Sequence, residues 1–166
     1  MSGWPQDIEN KAQSLIAAFS KRGLMVATAE SCTGGLIVGA LTEVSGSSMV
    51  VDRGFVTYSN DAKIQMLGVD LATLAAHGAV SRQTAIEMVR GALTHSKADL
   101  AVAVTGIAGP GGGSVEKPVG LVHLAAASRG GNVIHREMRY GDIGRDSVRL
   151  ATVRTALDML EEAAGG

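Results

Sequence analysis

Ser31 stands in the segment Thr28-Ala29-Glu30-Ser31-Cys32-Thr33-Gly34-Gly35, which leads from an apolar stretch into glycines. A serine at a strand-to-helix turn exposes its hydroxyl beside free backbone amides, and such amides are what a tetrahedral oxyanion needs. The plainer reading is a cap, because Ser and Thr before a helix are more often caps than nucleophiles. Cys32 is a rival nucleophile and intrinsically the stronger one, although neighbours at a sharp turn usually point in different directions. A second segment, Tyr58-Ser59-Asn60-Asp61-Ala62-Lys63, puts a lysine in the first turn of a helix, where the dipole disfavours its charged form. Partial burial near another cation would bring that lysine within range of general-base work. Composition alone favours a solvated surface lysine. A third segment, Thr105-Gly106-Ile107-Ala108-Gly109-Pro110-Gly111-Gly112-Gly113, follows an apolar run. It is either a flexible connection or a backbone cradle for a phosphate beyond a strand end. Its glycine spacing is not that of the lysine-containing phosphate loop. His77, His95, His123 and His135 are scattered without metal-ligand spacing, so no metal is expected. A Ser-His-Asp triad stays open in principle, but no histidine falls in a loop placed at the site.

Helices and strands must bring these segments together. Ile8, Ala12, Leu15, Ile16 and Phe19 recur at helical spacing, which predicts an amphipathic helix over about Asp7 to Arg22, ended by Gly23. Leu24 to Ala27 reads as a short buried strand, Thr28 to Gly35 as a turn, and Leu36 to Leu41 as a helix. Val50 to Ser59 is rich in β-formers. Asn60 is expected to cap the helix that carries Lys63, and Ser81 the helix with the stripe Ala85, Met88, Val89, Ala92 and Leu93. Leu100 to Val104 is a continuous apolar run, as in a strand covered on both faces. A loop runs from Thr105 to Pro118. Val119 to Ala127 and Asn132 to Tyr140 read as a hairpin joined by Arg129-Gly130-Gly131. Asp142 is expected to cap a last helix with the stripe Leu150, Val153, Leu157 and Leu160. Helices interleaved with buried strands predict one α/β domain over residues 1–166, a three-layer α/β/α sandwich whose sheet is mixed and mostly parallel.

Composition excludes several classes of function. A formal net charge of −1 and no long basic run give no reason to expect nucleic-acid binding. One cysteine rules out an internal disulfide and fits a reducing compartment, here the cytoplasm. Neither a signal peptide nor a membrane-spanning run is evident. The charged share of 19% is low and suggests that some surface is buried between subunits.

The motifs also add up in order. After Thr28 to Gly35 come Gly54-Phe55-Val56-Thr57-Tyr58-Ser59-Asn60-Asp61-Ala62-Lys63, then Gly78-Ala79-Val80-Ser81, then Thr105-Gly106-Ile107-Ala108-Gly109-Pro110, then Lys117-Pro118-Val119-Gly120. This series resembles the CinA C-terminal domain family, also called the PncC-type nicotinamide mononucleotide deamidases, from about Leu24 to about Leu160. The resemblance implies the stand-alone form, without the additional pyrophosphatase domain of larger members. It implies a serine-lysine amidohydrolase with Ser31 as nucleophile, Lys63 as base, and Tyr58 and Arg145 in support. Amides of Thr33, Gly34 and Gly35 are the expected oxyanion donors. Arg145, Thr105, Gly106, Gly109 and Lys117 are the expected contacts to a small nucleotide substrate. No cofactor, no metal, no membrane and no nucleic acid are implied, and a homo-oligomer is expected. The alternatives are a silent nucleotide-binding or regulatory module linked to competence or damage, and a protein-interaction partner in DNA uptake or repair.

Overall fold

The computed structural model describes residues 3–165. Helix α1 (Gln6–Arg22) starts behind Pro5 and ends at Gly23, whose positive φ of 67° lets its N–H reach back to Phe19 and Ser20 carbonyls. Strand β1 (Val26–Glu30) follows, then α2 (Leu36–Thr42), a 3-10 turn over Ser47–Met49, and β2 (Val51–Val56). Three helices come next: α3 (Asn60–Leu67), α4 (Leu71–His77) and α5 (Arg82–Thr94). Strands β3 (Leu100–Gly106), β4 (Leu121–Ser128) and β5 (Val133–Arg139) precede the long α6 (Arg145–Ala163).

The five strands form one sheet in the order β2-β1-β3-β4-β5. β1 pairs in parallel with β2 and β3, while β3–β4 and β4–β5 are antiparallel. The sheet is therefore mixed, and only β4 runs against the other four. Alternate residues of the central strands feed two cores. Val26, Val102, Val104 and Leu124 pack with α1, α2 and α6 on one face. Ala27, Ala29, Ala101, Ala103 and Ala125 pack with α5, Leu67 at the end of α3 and Leu74 of α4 on the other. Small side chains on that second face let α5 lie close to the sheet. At Gly91 the approach is closer still, because a Cβ there would run into the Leu67 carbonyl at the end of α3.

Several boundaries differ from the sequence expectation for identifiable reasons. β1 continues to Glu30 although Thr28 and Glu30 are polar, because the Glu30 carboxylate is fully partnered. It accepts hydrogen bonds from Thr28 Oγ1 (3.1 Å), Thr33 Oγ1 (2.6 Å), Ile37 N (2.9 Å) and Val38 N (3.0 Å). A buried acid thus caps α2 from the strand before it, a role that no Ser or Thr fills there. β3 likewise extends to Gly106, and β2 stops at Val56. Ser59, not Asn60, caps α3, its Oγ accepting from Ala62 N. Gly144, not Asp142, occupies the N-cap of α6, without a side-chain cap bond.

Candidate active site

The parallel strands β1, β2 and β3 end on one rim of the sheet, where ligands of open α/β sheets bind. Ser31 is the first residue beyond β1 and is 8% exposed. Its N–H donates to the Val104 carbonyl (3.1 Å), and its own carbonyl accepts from Gly34 N (3.0 Å), so the turn closes over the strand end. Ser59 caps α3, and one turn along that helix Lys63 reaches inward to 1% exposure.

Lys63 Nζ lies 2.9 Å from Ser31 Oγ, 2.8 Å from the Thr57 carbonyl and 3.4 Å from the Tyr58 carbonyl. A neutral amine has two hydrogens and one lone pair. With the hydrogens directed at the two carbonyls, the lone pair faces the Ser31 hydroxyl, as a general base requires. No carboxylate forms an ion pair with Lys63 among the described residues, unlike Lys11, which pairs with Asp158 and Glu161. Burial lowers the Lys63 pKa from 10.5 to about 8, against a small opposing effect of the Cys32 thiol. Burial is thus the cause that acts. Arg145, the supporting cation expected at the site, turns its N–H groups to the Gly109 carbonyl (2.8 Å) and the Tyr58 hydroxyl (3.1 Å) and adds nothing to that shift.

Cys32 behaves in the opposite way to its neighbour. It is 5% exposed and belongs to the core beneath α2 and α6, and burial raises its pKa to about 11. The thiol stays protonated at neutral pH, which makes it a poor nucleophile.

Ser31 and Lys63 open on a cleft of about 280 Å³ that Tyr58, Thr105, Gly106, Gly109 and Arg145 also border. Ala79, Val80, Ile107 and Ala108, quoted above within motifs but given no role of their own, add an apolar wall. Thr105 directs its hydroxyl to the Ala79 carbonyl (2.8 Å), joining two walls of the cleft. Tyr58 is 63% exposed at the mouth. Lys117 stands elsewhere, its Nζ donating to the His77 carbonyl (2.6 Å) and tying the 107–120 loop to the end of α4. Thr33, Gly34 and Gly35 do not border the cleft either. Of their three amides, the Gly34 N–H is taken by the Ser31 carbonyl. A larger depression of about 590 Å³ lies beyond Gly111 and Gly112, beside Arg139 and Asp142, and holds neither Ser31 nor Lys63. Among the described residues, no three His, Cys, Asp or Glu side chains gather as a metal set. His123 and His135 stack on β4 and β5, outside the cleft.

Two residues at the site were given no role in the sequence analysis. Glu30 holds the turn from below. Arg149 holds it from α6, with Nε donating to the Cys32 carbonyl and a terminal nitrogen to the Thr33 carbonyl, each at 3.0 Å. The spacing of four between Arg145 and Arg149, which places both on one helix face, was the available signal.

Comparison with known proteins adds the following. The model of the CinA C-terminal domain matches residues 8–164. The nicotinamide-nucleotide amidohydrolase PncC of Escherichia coli (strain K12) is 53% identical over 144 residues, covering 86% of each chain. A putative competence-damage inducible protein of Caldicellulosiruptor bescii is 50% identical over 149 residues, 89% of this chain but 36% of that longer one. The crystal structure of competence/damage inducible protein CihA from Agrobacterium tumefaciens superposes with a TM-score of 0.98 at 69% identity, over 99% of both chains.

Proposed function

Because this chain belongs to the CinA C-terminal domain family, we propose that it hydrolyses nicotinamide mononucleotide to nicotinate mononucleotide and ammonia, with Ser31 as nucleophile and Lys63 as its base. The observation that carries the dyad is the 2.9 Å contact between Ser31 Oγ and a buried lysine that no carboxylate neutralises. The name of the E. coli relative supports the substrate.

Neutral Lys63 takes the Ser31 proton as Oγ attacks the carboxamide carbon. The tetrahedral adduct collapses with cleavage of the C–N bond, and protonated Lys63 gives its proton to the departing ammonia. The ester left on Ser31 is hydrolysed by the reverse use of the same base: Lys63 deprotonates water, which attacks the acyl carbon, and the proton returns to Ser31 Oγ. With a pKa of about 8, roughly a tenth of Lys63 is neutral at pH 7. The cleft positions the substrate for this. Ala79, Val80, Ile107 and Ala108 offer an apolar wall to the pyridine ring, and the backbone of Gly106 and Gly109 lies alongside. Arg145 sits at the mouth with guanidinium donors to spare for the phosphate. Tyr58 stands against Arg145 there, its hydroxyl accepting from the guanidinium. The chemistry calls on no cofactor.

We take the enzyme to be a single domain that acts on a diffusible nucleotide in the cytoplasm, as a homo-oligomer and without a nucleic-acid partner. The charge of −1 supports the last point. No helix among the described residues is long and apolar enough to cross a membrane. The deciding experiment measures ammonia release from nicotinamide mononucleotide, nicotinamide riboside and nicotinamide. Release from the mononucleotide in preference to the other two is the expected result. Binding of the mononucleotide without release would make the chain a regulatory module.

A further inference from the structure

The turn after Ser31 is held by a residue far along the chain. Arg149 donates two hydrogen bonds to consecutive carbonyls, those of Cys32 and Thr33. The Thr33 carbonyl also accepts from Leu36 N (3.0 Å), and the Ser31 carbonyl accepts from Gly34 N (3.0 Å). Gly34 and Gly35 have positive φ, 58° and 106°, which lets the chain fold back this tightly. A Cβ on Gly34 would meet the Arg149 guanidinium at 3.4 Å, so the arginine packs directly against the turn.

Peptide planarity turns these contacts into directions. In a trans peptide the C=O and the next N–H point opposite ways. The Ser31 carbonyl is directed at Gly34 N, so the N–H of Cys32 is directed away from the turn. The Ser31 N–H is already spent on Val104 and the Gly34 N–H on Ser31. The Cys32 N–H reaches no acceptor beyond its own thiol among the described residues, and Cys32 borders the cleft. It is also the amide next to the nucleophile, the place from which an oxyanion formed on that nucleophile's acyl carbon is most directly reached.

We infer that Arg149 is a positioning residue that locks the turn following Ser31 so that the Cys32 amide serves as an oxyanion donor, in place of Thr33, Gly34 and Gly35. The inference rests on Ser31 being the nucleophile. Arg149 itself faces the back of the turn and touches no reacting atom.

The test compares Arg149→Ala and Arg149→Lys with the unsubstituted chain. One readout is the rate at which a fluorophosphonate labels Ser31, followed by intact mass. That reaction also places negative charge on an oxygen beside the nucleophile and needs no nucleotide. The other readout is kcat and KM for nicotinamide mononucleotide across pH. Arg149→Ala should lose about 10- to 100-fold in both labelling rate and kcat, with KM held within about twofold. The acid limb of the kcat profile should stay where Lys63 sets it. Lysine keeps the charge but reaches one carbonyl at a time, so Arg149→Lys should fall between. Labelling within about twofold of the unsubstituted chain in Arg149→Ala, a loss confined to KM, or a displaced acid limb would each overturn the inference. Should Arg149→Ala not fold by circular dichroism, Arg149→Lys decides: unimpaired labelling overturns the proposal, and reduced labelling with an unchanged acid limb upholds it. An unsubstituted chain that labels at Ser31 yet releases no ammonia removes the proposed substrate, while the labelling rates still judge Arg149.

Discussion

Ser31 and Cys32 are neighbours with opposite surroundings, and that contrast makes a prediction. Ser31 meets a base in the cleft, whereas the Cys32 thiol is buried in the core with its pKa raised to about 11. Ser31→Ala should abolish ammonia release, while Cys32→Ala should keep most of it. The reverse outcome would assign the nucleophile to the thiol. Lys63 carries a cost of its own. Its folded pKa of about 8 lies below the unfolded value, so below pH 8 both states hold the proton and the folded state bears the full penalty. That penalty is on the order of 3 kcal/mol and lifts as pH rises from 8 toward 10.5. Lys63→Met removes it but leaves two carbonyls without their donor, which returns about 1–3 kcal/mol. The variant should therefore be inactive, yet at pH 7 melt at or above the unsubstituted temperature, and that advantage should shrink by pH 10. A variant that melts far lower at pH 7 would show that the lysine is structural. The pH profile of turnover should carry an acid limb near 8. A limb near 6.5 would point to a histidine.

Among the elements, those with one patterned face were readable in the sequence. The stripe from Ile8 to Phe19 and the run from Leu100 to Val104 each announce a buried surface, and α1 and β3 stand where those patterns put them. Helix starts were read less well because several side chains nearby can cap. Ser59 displaces Asn60, and α2 begins with no Ser or Thr cap because Glu30 reaches it from β1. A buried carboxylate with four donors leaves no pattern in sequence. The same limit applies to Arg149, whose partners lie 116 and 117 residues away. Ser31 and Lys63 were legible as candidates by type and turn position, but their 2.9 Å contact depends on how β1 and β2 pair. The β4–β5 hairpin makes its own prediction. His123 Nδ1 and His135 Nε2 are 3.0 Å apart, one donating and the other accepting. Burial lowers both pKa values, helped by His135 and the cations Lys117 and Arg139 for His123 and by Arg82 for His135, with Glu137 opposing. The pair is fully stabilising above the unfolded value of about 6.5, and stability drains as pH falls through the lower folded values. The urea midpoint should therefore drop between pH 7 and 5, and His135→Gln should flatten the slope. A midpoint with the same slope in that variant would place the acid sensitivity elsewhere.

For the molecule as a whole, the site is a meeting of segments from every part of the fold. The turn after β1 supplies Ser31, the β2–α3 connection Tyr58, α3 Lys63, the segment after β3 Gly109, and α6 Arg145, which joins Tyr58 to Gly109. Removing that link has two separable effects. If Arg145 binds the phosphate, Arg145→Ala should lose roughly 1.5–3 kcal/mol of binding to the mononucleotide and far less to nicotinamide riboside. Equal losses on both substrates would mean that the arginine acts by bracing Tyr58 and Gly109. Unchanged kinetics on both would remove it from the site. The place of α6 in the chain has a consequence during synthesis. Translation delivers Ser31 and Lys63 early, but both arginines that brace their loops arrive with the last of the described helices. A nascent chain holding all five strands thus owns the nucleophile and the base without the brace that sets the turn beside them. Reactivity at Ser31 should therefore rise only late in synthesis, once α6 has docked.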